Sequence, residues 1–90
     1  MVSGKAVLTK CNGLNLKPAA RFSKAAQGFS SSVTITNRST TANAKSILSV
    51  LGACVRRGDE VEIVCSGEDE EEALETLLDL IREGVGENEK

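Results

Sequence analysis

The sequence predicts an α+β domain, a two-layer open-faced sandwich of the order β-α-β-β-α-β-α. A four-stranded antiparallel sheet would be covered on one face by three helices. Three observations predict it. Short runs alternate in polarity, as when Val33, Ile35 and Asn37 interleave with Ser32, Thr34 and Thr36; that two-residue period belongs to a strand with one buried face. Other segments carry helical spacing, most clearly Ala73, Leu74, Leu77, Leu78 and Ile81. The chain has 90 residues, enough for one small domain with a modest core and too few for a deep substrate cavity.

The elements follow in order. Residues 5–10 are short, apolar and β-branched and predict a strand. Residues 11–15 are a tight turn, which Gly13 permits because it lacks a Cβ. Residues 16–27 predict a helix, with Leu16, Ala19, Ala20, Phe22, Ser23 and Ala26 on one face and Gly28 as its stop. Residues 33–37 predict a strand, 37–40 a turn and 40–43 a second strand. Residues 44–51 predict a short helix with Ser46 as a cap before the apolar run, ended by Gly52. Residues 56–59 form a turn and 60–66 a strand. The acidic run from Glu68 to Glu72 opens the last helix, where negative charge complements the positive end of the helix dipole. Residues 84–90 are expected to be a frayed or disordered tail.

One stretch concentrates the chemistry. If Asn15 caps the helix, its side-chain oxygen can accept the Lys17 amide, and Pro18 loses nothing by lacking an N–H in the first turn. The amide of Leu16, the dipole and the cations Lys17 and Arg21 then make a candidate anion site beside Asn15. The same two cations also fit plain solvated surface charges.

Composition removes several classes. With a net charge of −2 and only two aromatic residues, Phe22 and Phe29, the chain suits neither phosphate-neutralising nor base-stacking nucleic-acid binding. Cys11, Cys54 and Cys65 are widely spaced and odd in number, and no histidine exists to join them. They are expected to be reduced, semi-buried thiols in a cytoplasmic protein, without metal or cofactor. No apolar run is long enough to cross a bilayer, and no signal-like leader is visible.

Asn12-Gly13-Leu14-x-x-Lys17-Pro18-Ala19-Ala20 resembles the active-site segment of HPr, the phosphocarrier family of the sugar phosphotransferase system. That family has Gly-Leu-His-x-Arg-Pro-Ala here. Asn43-Ala44-Lys45-Ser46-Ile47 is similar to its regulatory serine segment, and Gly58-Asp59 and Gly67-Glu68-Asp69-Glu70 match in register. The resemblance spans about residues 5–83. It implies the sheet order 1-4-2-3 and a protein without catalytic turnover. It also places Asn15 at the phosphorylated histidine and Lys17 at the arginine. A carboxamide nitrogen has its lone pair delocalised and should not carry phosphate, and lysine offers a point charge where arginine offers a fork.

Two functions follow from the resemblance. One is a Crh-like regulator, phosphorylated at Ser46 by an HPr kinase/phosphorylase and acting with a LacI-type transcription factor through Ile47, Leu48 and Leu51. The other is a component of the phosphotransferase system itself, docking on enzyme I or a sugar permease. On the residues alone Ser46 reads as a plain N-cap, and it is the resemblance that sets the regulatory reading level with it; Ile47 and Leu51 are equally core.

Overall fold

The computed structural model of the protein describes residues 1–10 and 12–86. Its strands are β1 (Val2–Val7), β2 (Ser32–Asn37), β3 (Thr40–Asn43) and β4 (Glu60–Ser66). Its helices are α1 (Leu16–Gln27), α2 (Ile47–Gly52) and α3 (Glu70–Arg82), and a 3-10 turn spans Gly84–Gly86. The sheet order is β1-β4-β2-β3 and every pairing is antiparallel. This is the open-faced α+β sandwich that the sequence and the resemblance predict.

The alternation rule explains the sheet. Val33, Ile35 and Asn37 on β2 and Val61, Ile63 and Cys65 on β4 face the helices and are buried. The intervening residues face outward. The core beneath them is centred on Phe22, Leu8, Ile35, Ile63, Leu77 and Ile81. Burying a side chain of this size stabilises by about 1.5–3 kcal/mol. Helix α3 lays Ala73, Leu77, Leu78 and Ile81 on the sheet as its spacing predicts, with Leu74 at the edge of the core. A Cβ on Gly4 would stand 2.7 Å from Leu78 Cδ1, so the missing side chain on β1 makes room for α3.

Several expectations are corrected. The first strand is Val2–Val7 rather than 5–10, because its ladder against β4 runs from Val2↔Cys65 to Val7↔Glu60. Leu8 then leaves the ladder and bonds to the turn, its N–H to Asp59 O at 3.0 Å and its carbonyl to Gly58 N. Helix α2 starts at Ile47, not at residue 44. Asn43 Oδ1 accepts the Lys45 amide and Asn43 O accepts the Ser46 amide, so residues 43–46 are spent in a turn. Leu16 is 66% exposed and does not belong to the buried face of α1, which runs through Pro18, Ala19, Phe22, Ser23 and Ala26. Gly28 caps α1 in the right-handed region, so it ends the helix without a left-handed residue.

At its other end α2 stops at Gly52, as expected, and the chain then reverses at Cys54. Cys54 has φ +55, a region where a Cβ is strained, and its side chain is exposed. Exposure also corrects the semi-buried expectation for this thiol; Cys65 is buried as expected. Replacing Cys54 by glycine should therefore raise stability by about 0.5–1 kcal/mol in urea titration. An unchanged or lower midpoint would mean that the thiol makes compensating contacts.

The tail expectation fails for residues 84–86. Gly84 turns the chain at φ +76, and Val85 folds back into the core at 1% exposure. The expectations for Cys11 and for residues 87–90 lie outside the described residues.

Candidate functional site

Asn15 occupies the N-cap of α1 in extended geometry, and its carbonyl accepts the Ala19 amide at 2.8 Å. Its side chain makes no capping bond, contrary to expectation. Within the helix, the amides of Leu16 and Lys17 have no carbonyl to reach. The junction therefore presents polar hydrogens and an exposed carboxamide to solvent, with the exposed Lys17 one step on. Arg21 sits a turn further along, and its guanidinium lies 3.5 Å from Val85 O, a long bond that tethers it toward the C-terminal turn. The four residues read as an anion site are thus together in sequence and only partly in space.

The loop before Asn15 is held by residues distant in sequence. Leu14 N–H donates to Val55 O at 2.9 Å, Arg57 N–H donates to Asn12 O at 3.0 Å, and Gly13 bridges to Arg56. A cavity opens between the two segments, lined by Asn12, Asn15, Leu51, Cys54 and Arg56 among others. Leu51 of α2 thereby meets the Asn15 loop across a shared wall. Arg56 is a cation at this cavity that sequence reasoning placed only in a turn. Nothing in local spacing signals a contact across so much chain.

Ser46 caps α2, its Oγ accepting the Ser49 amide at 3.3 Å. The side chain is half-buried, with its helix start tied to the end of α1. Gln27 Nε2 donates to Lys45 O at 2.9 Å, and Lys45 Nζ donates to Phe29 O at 2.8 Å. The Lys45 ammonium is thus engaged with a backbone carbonyl. Beyond Ser46, Leu48 is 81% exposed and Ile47 37%, while Leu51 is half-buried against the core. Val50 is the one residue of α2 that is fully inside. Leu16, at the start of α1, is the other exposed large apolar side chain of the helical layer among the described residues.

Three carboxylates elsewhere, Asp59, Asp69 and Glu70, accept hydrogen bonds that tie local backbone together. Asp59 is held below the usual carboxylate range, first by the Arg56 amide and then by the Arg38 guanidinium. The Ser31 hydroxyl and the Ser30 and Ser31 amides hold Asp69 down to about 2. The Gly67 amide and the terminal amine of Met1 lower Glu70. Burial raises the Cys65 thiol. Among the described residues there is no cluster of histidine, cysteine or carboxylate able to hold a metal ion. No helix among them is long and apolar enough to cross a membrane.

With this geometry in place, a model of the family described as PTS HPr component phosphorylation site matches residues 2–83. The chain belongs to the HPr family. Proteins of this family are carriers rather than catalysts. Relatives include the HPr-like protein Crh of Bacillus subtilis, 39% identical over 85 residues, covering 94% of this chain and 100% of that one. The phosphocarrier protein HPr of Haemophilus influenzae is 38% identical over 81 residues, covering 90% and 95%. Among solved structures, HPr-C-His from Thermoanaerobacter tengcongensis superposes with a TM-score of 0.91 at 35% identity, over 98% of this chain and 99% of that one.

Proposed function

We propose that this HPr-family chain is a regulatory adaptor that is switched by phosphorylation at Ser46 and does not carry a phosphoryl group at Asn15. One observation carries the reading: an exposed carboxamide stands at the start of α1, in a chain with no histidine at all. A phosphoryl carrier needs a nitrogen with a free lone pair, and the amide nitrogen has none.

The regulatory step is an ordinary phosphoryl transfer. The Ser46 oxygen forms a bond to the γ-phosphorus of ATP, the bond from that phosphorus to the ADP oxygen breaks, and the hydroxyl proton passes to a base on the kinase. An HPr kinase/phosphorylase would supply that base. The product adds about −1.5 to −2 charges at the start of α2, where the dipole favours them. Phosphate oxygens can accept the Ser49 amide in place of the hydroxyl, so α2 is kept. The new charge borders Ile47 and Leu48. It would recruit a partner bearing arginine, such as a LacI-type transcription factor, and repel an acidic one.

A second reading is favoured by the uncapped amides of α1 and by Lys17. In it the chain works within the phosphotransferase system itself, docking on enzyme I or a sugar permease. The two readings separate by source of label. Transfer from ATP through an HPr kinase, abolished in Ser46→Ala, supports the regulator. Stable label from phosphoenolpyruvate through enzyme I overturns it.

The docking surface has its own test. Leu48→Ser should cost less than about 0.5 kcal/mol of stability, as surface changes do. It should nonetheless weaken partner binding in calorimetry by roughly tenfold, as loss of a buried apolar anchor does. Unaltered affinity would remove Leu48 from the surface.

A further inference from the structure

We infer that residues 53–57 are a strap that joins α2 and the Asn15 loop into one rigid body, and that Asp59 with Asn37 is its lock. The rigid body goes beyond the phosphorylation reading and stands without it; its consequence for partners rests on the docking surface proposed above.

The strap begins where α2 ends. Ala53 caps the helix, and Cys54 turns the chain at φ +55. From Val55 to Asp59 the backbone then runs alongside Leu8, Asn12 and Leu14. Four backbone bonds clasp the two: Leu14 N–H to Val55 O, Arg57 N–H to Asn12 O, Gly58 N–H to Leu8 O and Leu8 N–H to Asp59 O. The segment that closes the docking helix is therefore also the wall against which the Asn15 loop is built.

Two side chains fix its path. One Asp59 oxygen accepts the Arg38 guanidinium at 3.0 Å; the other accepts the Arg56 amide at 3.0 Å and Asn37 Nδ2 at 3.2 Å. Asn37 Nδ2 also donates to Ala53 O at 2.9 Å, and Cys54 O lies 3.4 Å away. Asn37 is thus a pin between the end of α2 and the turn at Asp59. Its orientation is forced, because flipping the amide would set its oxygen against Ala53 O and Asp59 Oδ2, both acceptors. In the orientation adopted, Asn37 Oδ1 is buried with no partner among the described residues. A buried acceptor left unmade is tolerated where the other contacts of the group over-determine its position.

The consequence concerns partners. A protein that docks on Leu48 and Leu51 meets Asn15 and Arg56 at a fixed spacing, since the cavity between them has the strap as one wall. Asp59 and Asn37 are then positioning residues for a surface neither of them enters.

Amide hydrogen exchange on the full chain tests this from both ends. In Asp59→Ala, exchange should accelerate by about tenfold or more at Leu14, Arg57 and Ala53 together. The paired strand residues Ile35 and Ile63 should stay within about twofold of the parent. Faster exchange at Ala53 with Leu14 unchanged would overturn the rigid-body claim. An equal rise at every amide would overturn it too, by making Asp59 a determinant of global stability only. If Asp59→Ala does not fold, Gly13→Ala applies the strain from the other side, because its Cβ would stand 2.8 Å from Val55 O. Chemical-shift changes should then reach Val55, Ala53 and the Asn37 side-chain amide. Changes confined to residues 12–14 would overturn the strap.

Discussion

Asn15→His is expected to turn the chain into a phosphoryl acceptor. Incubated with enzyme I and labelled phosphoenolpyruvate, the parent should stay at background. The variant should take up label on the order of tenfold or more above that background, since activation of a nucleophile spans at least this range. The label should be acid-labile and alkali-stable, as a phosphorus–nitrogen bond is and a phosphoserine is not. The physical motive is that only the nucleophile is missing. Asn15 is exposed at the helix start, its side chain makes no capping bond that the ring would have to replace, and the Leu16 and Lys17 amides remain available for phosphate oxygens. An imidazole there is mostly neutral above about pH 6.5, so its lone pair is ready. Adding Lys17→Arg should raise the yield further, because a guanidinium holds two oxygens at once. Silence from the double variant would show that the surface around the site no longer receives enzyme I. Labelling of the parent itself would end the reading of Asn15.

The contrast between Asn15 and Ser46 shows what local sequence can and cannot reveal. Both stand at N-cap positions in the sequence. Ser46 makes its capping bond, while Asn15 does not, although its position as the cap is right. Position depends on where apolar periodicity begins, which sequence carries. Whether the side chain turns inward depends on what surrounds the loop, and there the neighbour is residues 55–57. The same division explains the helix ends. Glycine after an apolar run marks Gly52 as the stop of α2, and the helix ends there; the left-handed residue that follows is Cys54, where Asn37 reaches across to the Ala53 and Cys54 carbonyls. Val85 was lost in a run of glycines and charges, and only the return of the chain after α3 makes it core. The strands of the sheet, by contrast, were legible because alternation is a local signal, with β1 displaced since its bounds are set by β4.

Gly67→Ala is expected to be among the most damaging single-methyl additions in this chain, costing about 3 kcal/mol from the combination of overpacking and backbone strain. Gly67 has φ +153, a conformation L side chains rarely adopt, and an added Cβ would lie 2.6 Å from Ser31 Cα and Oγ. Ser31 cannot retreat. It is fully buried, and its amide and hydroxyl both donate to Asp69 Oδ1, at 3.0 and 2.5 Å, while the Ser30 amide donates to Oδ2 at 2.9 Å. Urea titration reads the loss as a lower midpoint with unchanged slope; a cost under about 1 kcal/mol would mean that the two loops separate freely. The same clamp sets a pH signature. Asp69 titrates at about 2 in the folded chain against an ordinary 3.8. Between those values the unfolded chain binds more protons, so stability rises with pH across that window and the full contribution is present above it. Lowering the pH from about 4 toward about 2 removes that contribution progressively. In Asp69→Asn the midpoint should be lower at neutral pH and fall less steeply in acid. The remaining slope belongs to Asp59 and Glu70, which are lowered for the same kind of reason. An acid profile identical to the parent's would show that the carboxylate does not hold the loops together.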